Sequence, residues 1–119
     1  MFMCCYSFFS SLNTKINKFP TPDYINKEIV GKTYTATQDG WVRLLISKST
    51  NGIVSSQSFA GEVKVNTARV WRYTNTIASN EIRIYPSIYS DLIPVKAGDQ
   101  IEFTTTNVDS SERAFFPVR

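Results

Sequence analysis

The longest apolar run in the chain follows a turn. Across Trp41 to Ser47, WVRLLIS, side chains alternate with period two: Val42, Leu44 and Ile46 point to one face, and Trp41, Arg43, Leu45 and Ser47 to the other. That period predicts a strand, and its uniformly apolar face is core. The opposite face carries a large aromatic and an arginine where a solitary sandwich would be polar, which predicts cover by another subunit. Just upstream, Gln38-Asp39-Gly40 has turn chemistry, because glycine tolerates positive φ and aspartate bonds its own backbone.

The same reading extends along the chain. Phe19-Pro20-Thr21-Pro22-Asp23-Tyr24 is an extended lead-in loop, since each proline restricts the residue before it. Short strands follow at Glu28 to Val30 and Thr33 to Ala36, with Gly31 as a bend. Asn51-Gly52 is a strong hairpin signal and predicts that Ile53 to Phe59 returns antiparallel to the strand before it, with Ala60-Gly61 breaking the run. Val63 and Val65 alternate with Glu62 and Lys64. In Ala68 to Thr74, a new strand or a continuation past a bulge, Arg69, Trp71 and Tyr73 share a face opposite Val70 and Arg72. Asn75 to Asn80 reads as a turn-rich link. From Glu81 to Tyr85 the pattern sends Ile82 and Ile84 inward and Arg83 and Tyr85 outward, and Pro86 ends or kinks that strand. Ser87 to Asp91 is a loop or edge segment, Leu92 to Val95 a short strand and Lys96 to Asp99 a tight turn. Ile101, Phe103 and Thr105 line one face of the next strand. Asn107 to Ser111 is a polar turn, and Arg113 to Val118 closes the chain. Eight or nine short strands without a long amphipathic helix predict an all-β fold, an antiparallel β-sandwich of jelly-roll type.

Composition narrows the function classes. With 119 residues the chain holds one domain, read as an N-terminal arm over 1–18 and a sandwich over 19–119. A net charge of +3 is spread without a basic run, which argues against nucleic acid. Cys4 and Cys5 are adjacent, a spacing hostile to a mutual disulfide, so no disulfide framework is expected and a reducing cytoplasm suits the chain. The opening MFMCCYSFFSSL lacks a basic n-region and is too short to span a bilayer. It reads as an arm whose Phe2, Phe8 and Phe9 want cover, with a weak signal start as the alternative. Membrane insertion is not expected.

The chain has no histidine, which removes Ser-His-Asp and Cys-His catalysis and most zinc sites. Asp39, Asp91, Asp99 and Asp109 occupy predicted turns, while Glu62, Glu81 and Glu102 start strands or alternate outward. No glycine-rich phosphate loop is present. The expectation is a protein that is not an enzyme and uses no cofactor or metal.

Four landmarks in order resemble a family: Pro22-Asp23-Tyr24, then Tyr34-Thr35-Ala36-Thr37-Gln38-Asp39-Gly40-Trp41-Val42, then Leu92-Ile93-Pro94-Val95-Lys96-Ala97-Gly98-Asp99-Gln100-Ile101, and a terminal Ala114-Phe115-Phe116-Pro117-Val118. Together they resemble phage and prophage tail-fibre or receptor-binding head modules, whose trimeric jelly roll is similar to the tumour-necrosis-factor and C1q family. Thr37 stands where such modules often carry proline. The N-terminal arm has no counterpart there, and a fibre protein would normally carry a shaft upstream of such a module. The resemblance implies a homotrimer in the virion, made in a bacterial cytoplasm, that works with other tail proteins and attaches to a host-surface glycan. The alternatives are a virion decoration or assembly protein without a receptor, and a secreted carbohydrate-binding sandwich.

Candidate sites follow from aromatics that alternation sends outward. Arg69, Trp71 and Tyr73 form an exposed cluster, and Tyr85 and Tyr89 flank Pro86 near one end of the sandwich, so these five are the candidate ligand-binding residues. The structural alternative for each is a subunit interface or a second core face. Trp41 and the Phe115-Phe116 pair are the candidate subunit contacts. One phenylalanine ring should enter the core, and its neighbour would be exposed in a monomer and covered around a threefold axis.

Overall fold

Alternating burial over twelve residues builds the central strand. A computed structural model describes residues 19–52 and 54–119, and the predicted arm over 1–18, with Cys4 and Cys5, lies outside the described residues. The strands are β1 (Glu28–Ile29), β2 (Thr33–Thr35), β3 (Gly40–Asn51), β4 (Gln57–Val65), β5 (Ala68–Ile77), β6 (Ile82–Tyr89), β7 (Ile93–Val95), β8 (Gln100–Thr106) and β9 (Ser110–Pro117). They form two antiparallel sheets, one in the order β1-β9-β3-β6 with β7 also paired to β3, the other in the order β2-β8-β4-β5. The pairings nest, β4 with β5, β3 with β6, β2 with β8 and β1 with β9, which is the winding of a jelly roll. The expected all-β sandwich of about nine strands is therefore present.

Between the sheets, Val42, Leu44, Ile46 and Phe115 from the five-stranded sheet meet Phe59, Val63, Ile77, Ile101 and Phe103 from the other, all nearly inaccessible to water. Each such side chain contributes roughly 1.5–3 kcal/mol by leaving water. Gly61 faces Leu44 and Ile46, where an added Cβ would lie 3.2 Å from each side chain. Glycine there makes room for the facing sheet, so the expected break at Ala60-Gly61 gives way to an uninterrupted β4. Gly40 also serves close approach: a Cβ would run into the Phe116 carbonyl and sit 2.7 Å from the Phe115 ring, and its φ is not positive.

The Asn51-Gly52 expectation is corrected. Gly52 does turn with φ +80°, but β4 crosses to the other sheet, and β3 pairs instead with β6, β7 and β9. The tight hairpin is at Asn66-Thr67, where φ values of 50° and 70° make the turn that joins β4 to β5. Asn66 is tied there by its Nδ2 to Asp99 Oδ1 and its Oδ1 to the Gln100 N–H, both at 2.9 Å.

β6 has the opposite phase to the one expected. Ile82 and Ile84 are 70% and 69% exposed, while Tyr85 packs against the core. Pro86 does not end the strand, because β6 is a sheet edge and absorbs it in a bulge opposite Ser47. β5 likewise runs on to Ile77 through the expected link. The Lys96–Asp99 turn stands as read, with Gly98 at φ +93° and the Lys96 N–H bonded to Asp99 Oδ2 at 2.9 Å.

Candidate functional site

Cross-strand partners share a face, so the register sorts the two outer surfaces residue by residue. On the four-stranded sheet the outward positions include Ser58, Glu62, Lys64, Arg72, Thr74, Thr76, Thr104, Glu102, Gln100 and Thr33. That surface is a solvated threonine and charge face. The five-stranded sheet turns out Trp41, Arg43 and Leu45 from β3, Pro94 from β7, Ile82, Ile84 and Tyr89 from β6, and Ile29 from β1. Ile29, Ile82, Ile84 and Tyr89 are each more than half exposed, and Trp41 and Leu45 are half-buried. One side of the sandwich is thus polar apart from Val70 on β5, and the other is studded with large apolar groups.

The lead-in loop explains how Phe116 fares on this face. Pro22 bridges to Val118, the Asp23 N–H bonds to the Pro117 carbonyl at 2.8 Å, and Asp23 Oδ1 accepts the N–H groups of Ile25 and Asn26. The Asn26 side chain, donating to Asp23 at 2.6 Å, holds that carboxyl below its ordinary range. So anchored, Tyr24 sets its ring edge-on to Phe116, centroids 5.2 Å apart, and the Arg43 guanidinium lies 5.0 Å from the Phe116 ring and 4.4 Å from Tyr89. Phe115 and Phe116 point to opposite faces as expected, but both are only 1% exposed within one chain. The expectation that a single chain leaves one ring bare is therefore overturned. The bare apolar groups on this face are the isoleucines.

A second cluster forms where the edge strands β5 and β6 run past each other at the open side of the sandwich. Trp71 and Tyr73 stack with centroids 6.5 Å apart at an 11° angle, and buried Phe59 stands 6.0 Å from Tyr73 and 5.6 Å from Tyr85. Asn75 Nδ2 donates to both hydroxyls, Tyr73 at 3.0 Å and Tyr85 at 3.2 Å, so one amide links the two sheets. The result is a half-buried seam of π-faces and hydroxyls, a shape suited to the C–H faces and hydroxyls of a sugar. At the turn that leads into β6, Arg83 donates to Glu81 at 2.8 Å and holds that carboxyl low.

Of the five candidate ligand residues, the structure gathers Trp71, Tyr73 and Tyr85. Tyr89 lies on the outer face beneath Arg43, away from the seam. Arg69 is also apart, because a bulge at Val70, between it and Trp71, sets it opposite Lys64 on the polar face. Asn75 went unread as a site residue, although its position two residues beyond Tyr73 on the same side was visible in the sequence. Among the described residues no three metal-ligating side chains gather, and no helix is long and apolar enough to cross a membrane. Compared with known proteins, the chain matches no family model and no curated protein sequence.

Proposed function

We propose that the chain is a phage or prophage tail-associated jelly-roll module, not an enzyme, that assembles as a homotrimer in the virion and contributes to attachment at a host-surface glycan. The observation that carries the assembly is the contrast between the two outer surfaces. Isoleucines at 69–70% exposure on an ordered strand stabilise nothing within one chain, while burial against a second copy removes them from water. Trp41, Leu45 and Tyr89 on the same sheet enlarge that surface. The Trp71–Tyr73–Asn75–Tyr85 seam is the candidate glycan contact. It is shallow, and three copies acting together would supply avidity that one copy lacks.

Light scattering at micromolar concentration tests the assembly, with an expected mass three times the 13.5 kDa chain. Leu45→Glu should return it to a single chain with an unchanged far-ultraviolet spectrum. Cell binding and a glycan array test the seam, and Trp71→Ala should lose binding while keeping the mass. A trimer that binds neither cells nor glycans would replace attachment with the decoration or assembly reading. A monomer would sink the assembly itself.

A further inference from the structure

Lys48 is the one charged side chain among the described residues that is nine-tenths buried, at 6% exposure, on the inward side of β3 opposite Tyr85. β3 runs on past Ser47 and carries this amine into the interior. Its Nζ donates to Asn107 Oδ1 at 3.1 Å, and Asp109 Oδ1 stands 3.8 Å from the same nitrogen. The two neighbours are themselves fixed. Asn107, at φ +54° in the turn between β8 and β9, donates its Nδ2 to the Ser58 carbonyl at 3.0 Å. Asp109 Oδ2 accepts the Ser49 N–H at 2.7 Å and its hydroxyl at 3.2 Å, and the Asp109 N–H bonds to the Ser47 carbonyl at 2.9 Å.

A device for pairing a buried ammonium would bring the carboxylate to roughly 2.7–2.9 Å. Here the carboxamide holds the nearer position and the carboxylate stands back. Amine, carboxamide and carboxylate converge from segments 59 residues apart, in the order that acyl transfer from an asparagine requires.

We infer that Lys48 and Asn107 join in an intramolecular isopeptide bond with Asp109 as proton carrier. Asp109 takes a proton from the Lys48 ammonium, and the freed amine attacks Asn107 Cγ. The Nζ–Cγ bond forms and the Cγ–Nδ2 bond breaks. Nδ2 leaves as ammonia with the second amine proton and takes up the proton held by Asp109, departing as ammonium. No electron changes hands and no co-reactant is needed. A recess lined by Ser47, Ser49, Tyr85, Pro86 and Asp109 opens beside Lys48 and gives the ammonium a way out. The bond staples the C-terminal part of β3 to the turn that launches β9, so that the two inner strands of the five-stranded sheet are held covalently.

Intact mass spectrometry of the full chain under denaturing conditions tests this. The expected mass is lower than the sequence mass by one ammonia, about 17 Da, and trypsin should yield a branched peptide joining the Lys48 and Asn107 segments. Asn51-Gly52 loses the same mass on closing to a succinimide, so the deficit must vanish in both Lys48→Arg and Asn107→Ala. A deficit that survives either variant, or a wild-type chain at its full sequence mass, overturns the proposal whether or not the variants fold. Asp109→Asn should form the link roughly a hundredfold more slowly. Formation at the wild-type rate would remove Asp109 from the step.

Discussion

Ser90→Ala deletes one hydroxyl where the central strand has nothing else to bond. Along β3, pairing with β6 ends at Leu45 and Tyr89 and resumes with β7 at Val42 and Ile93, which leaves Leu44 between them. Ser90 fills the gap. Its Oγ accepts the Leu44 N–H at 2.9 Å, its own N–H bonds to the Leu44 carbonyl at 2.8 Å, and its hydroxyl donates to the Asp91 carbonyl at 2.8 Å. Ser90 is 5% exposed and Leu44 fully buried, so water cannot replace the lost acceptor. An unpaired buried N–H costs roughly 1–3 kcal/mol, against a total stability of roughly 5–15 kcal/mol. For a domain of this size that lowers the melting temperature by roughly 4 to 20 °C.

Urea unfolding followed by Trp41 and Trp71 fluorescence measures the loss, at one fixed protein concentration because assembly shifts the midpoint. The midpoint should fall while the m-value stays, since the unfolded chain exposes the same surface. Ser87→Ala is the control, an exposed serine of the adjoining strand β6 whose truncation should cost less than about 0.5 kcal/mol. If the two variants unfold together, the Ser90 bridge contributes nothing and the reasoning about the gap is wrong. The same bridge ties the end of the strand that carries Tyr89 to the strand that carries Trp41 and Leu45. Its loss should therefore also loosen the outer face.

Two further outcomes follow from the packing and the charge. Gly61→Val places methyl groups where Leu44 and Ile46 already sit 3.2 Å from an added Cβ, and overpacking should cost about 1–3 kcal/mol in the same urea assay. Asp99 is held below its ordinary value chiefly by the Lys96 N–H and then by the Asn66 side chain, so the folded state binds its proton less readily than the unfolded one. Its contribution is present above the ordinary aspartate value of 3.8 and is lost as the pH falls through the depressed one. Urea midpoints from about pH 6 to about pH 2 should therefore decline less steeply in Asp99→Asn than in the wild type.

How far the sequence carried depends on what each residue must do. The phase of β3 was legible because Val42, Leu44 and Ile46 are uniformly apolar against mixed neighbours. The Lys96–Asp99 turn was legible because its bonds are local. The partner of β3 was not. Asn51-Gly52 states that the chain turns but not whether the next strand stays in the same sheet, and in a jelly roll that choice is made by nested pairing across the whole chain. The real hairpin, at Asn66-Thr67, is stabilised by Asp99 and Gln100 more than thirty residues away, beyond any short-range signal. For the seam, alternation put Trp71 and Tyr73 on one side of β5, but a bulge removed Arg69 from that side and only the facing sheet supplied Tyr85.

The reversed phase of β6 has a different cause. Alternation fixes which residues share a face and leaves open which face is inside, so the choice was made by sending the isoleucines inward. Between edge strands at the open side of the sandwich the gap is wide and partly wet, and it takes tyrosines, whose rings reach Phe59 and whose hydroxyls meet Asn75. Ile82 and Ile84 are then left on the surface that also carries Trp41, Leu45 and Tyr89. In the proposed trimer the inward rule has not failed: β6 is written for two interiors, one between its own sheets and one between copies. A single chain in solution would instead leave both isoleucines wet, with a sheet edge open beside them, the arrangement that soluble β proteins avoid because it invites aggregation. Replacing Ile82 and Ile84 with threonine separates the cases, since it should weaken the assembly if they are buried between copies and only improve solubility if they are not.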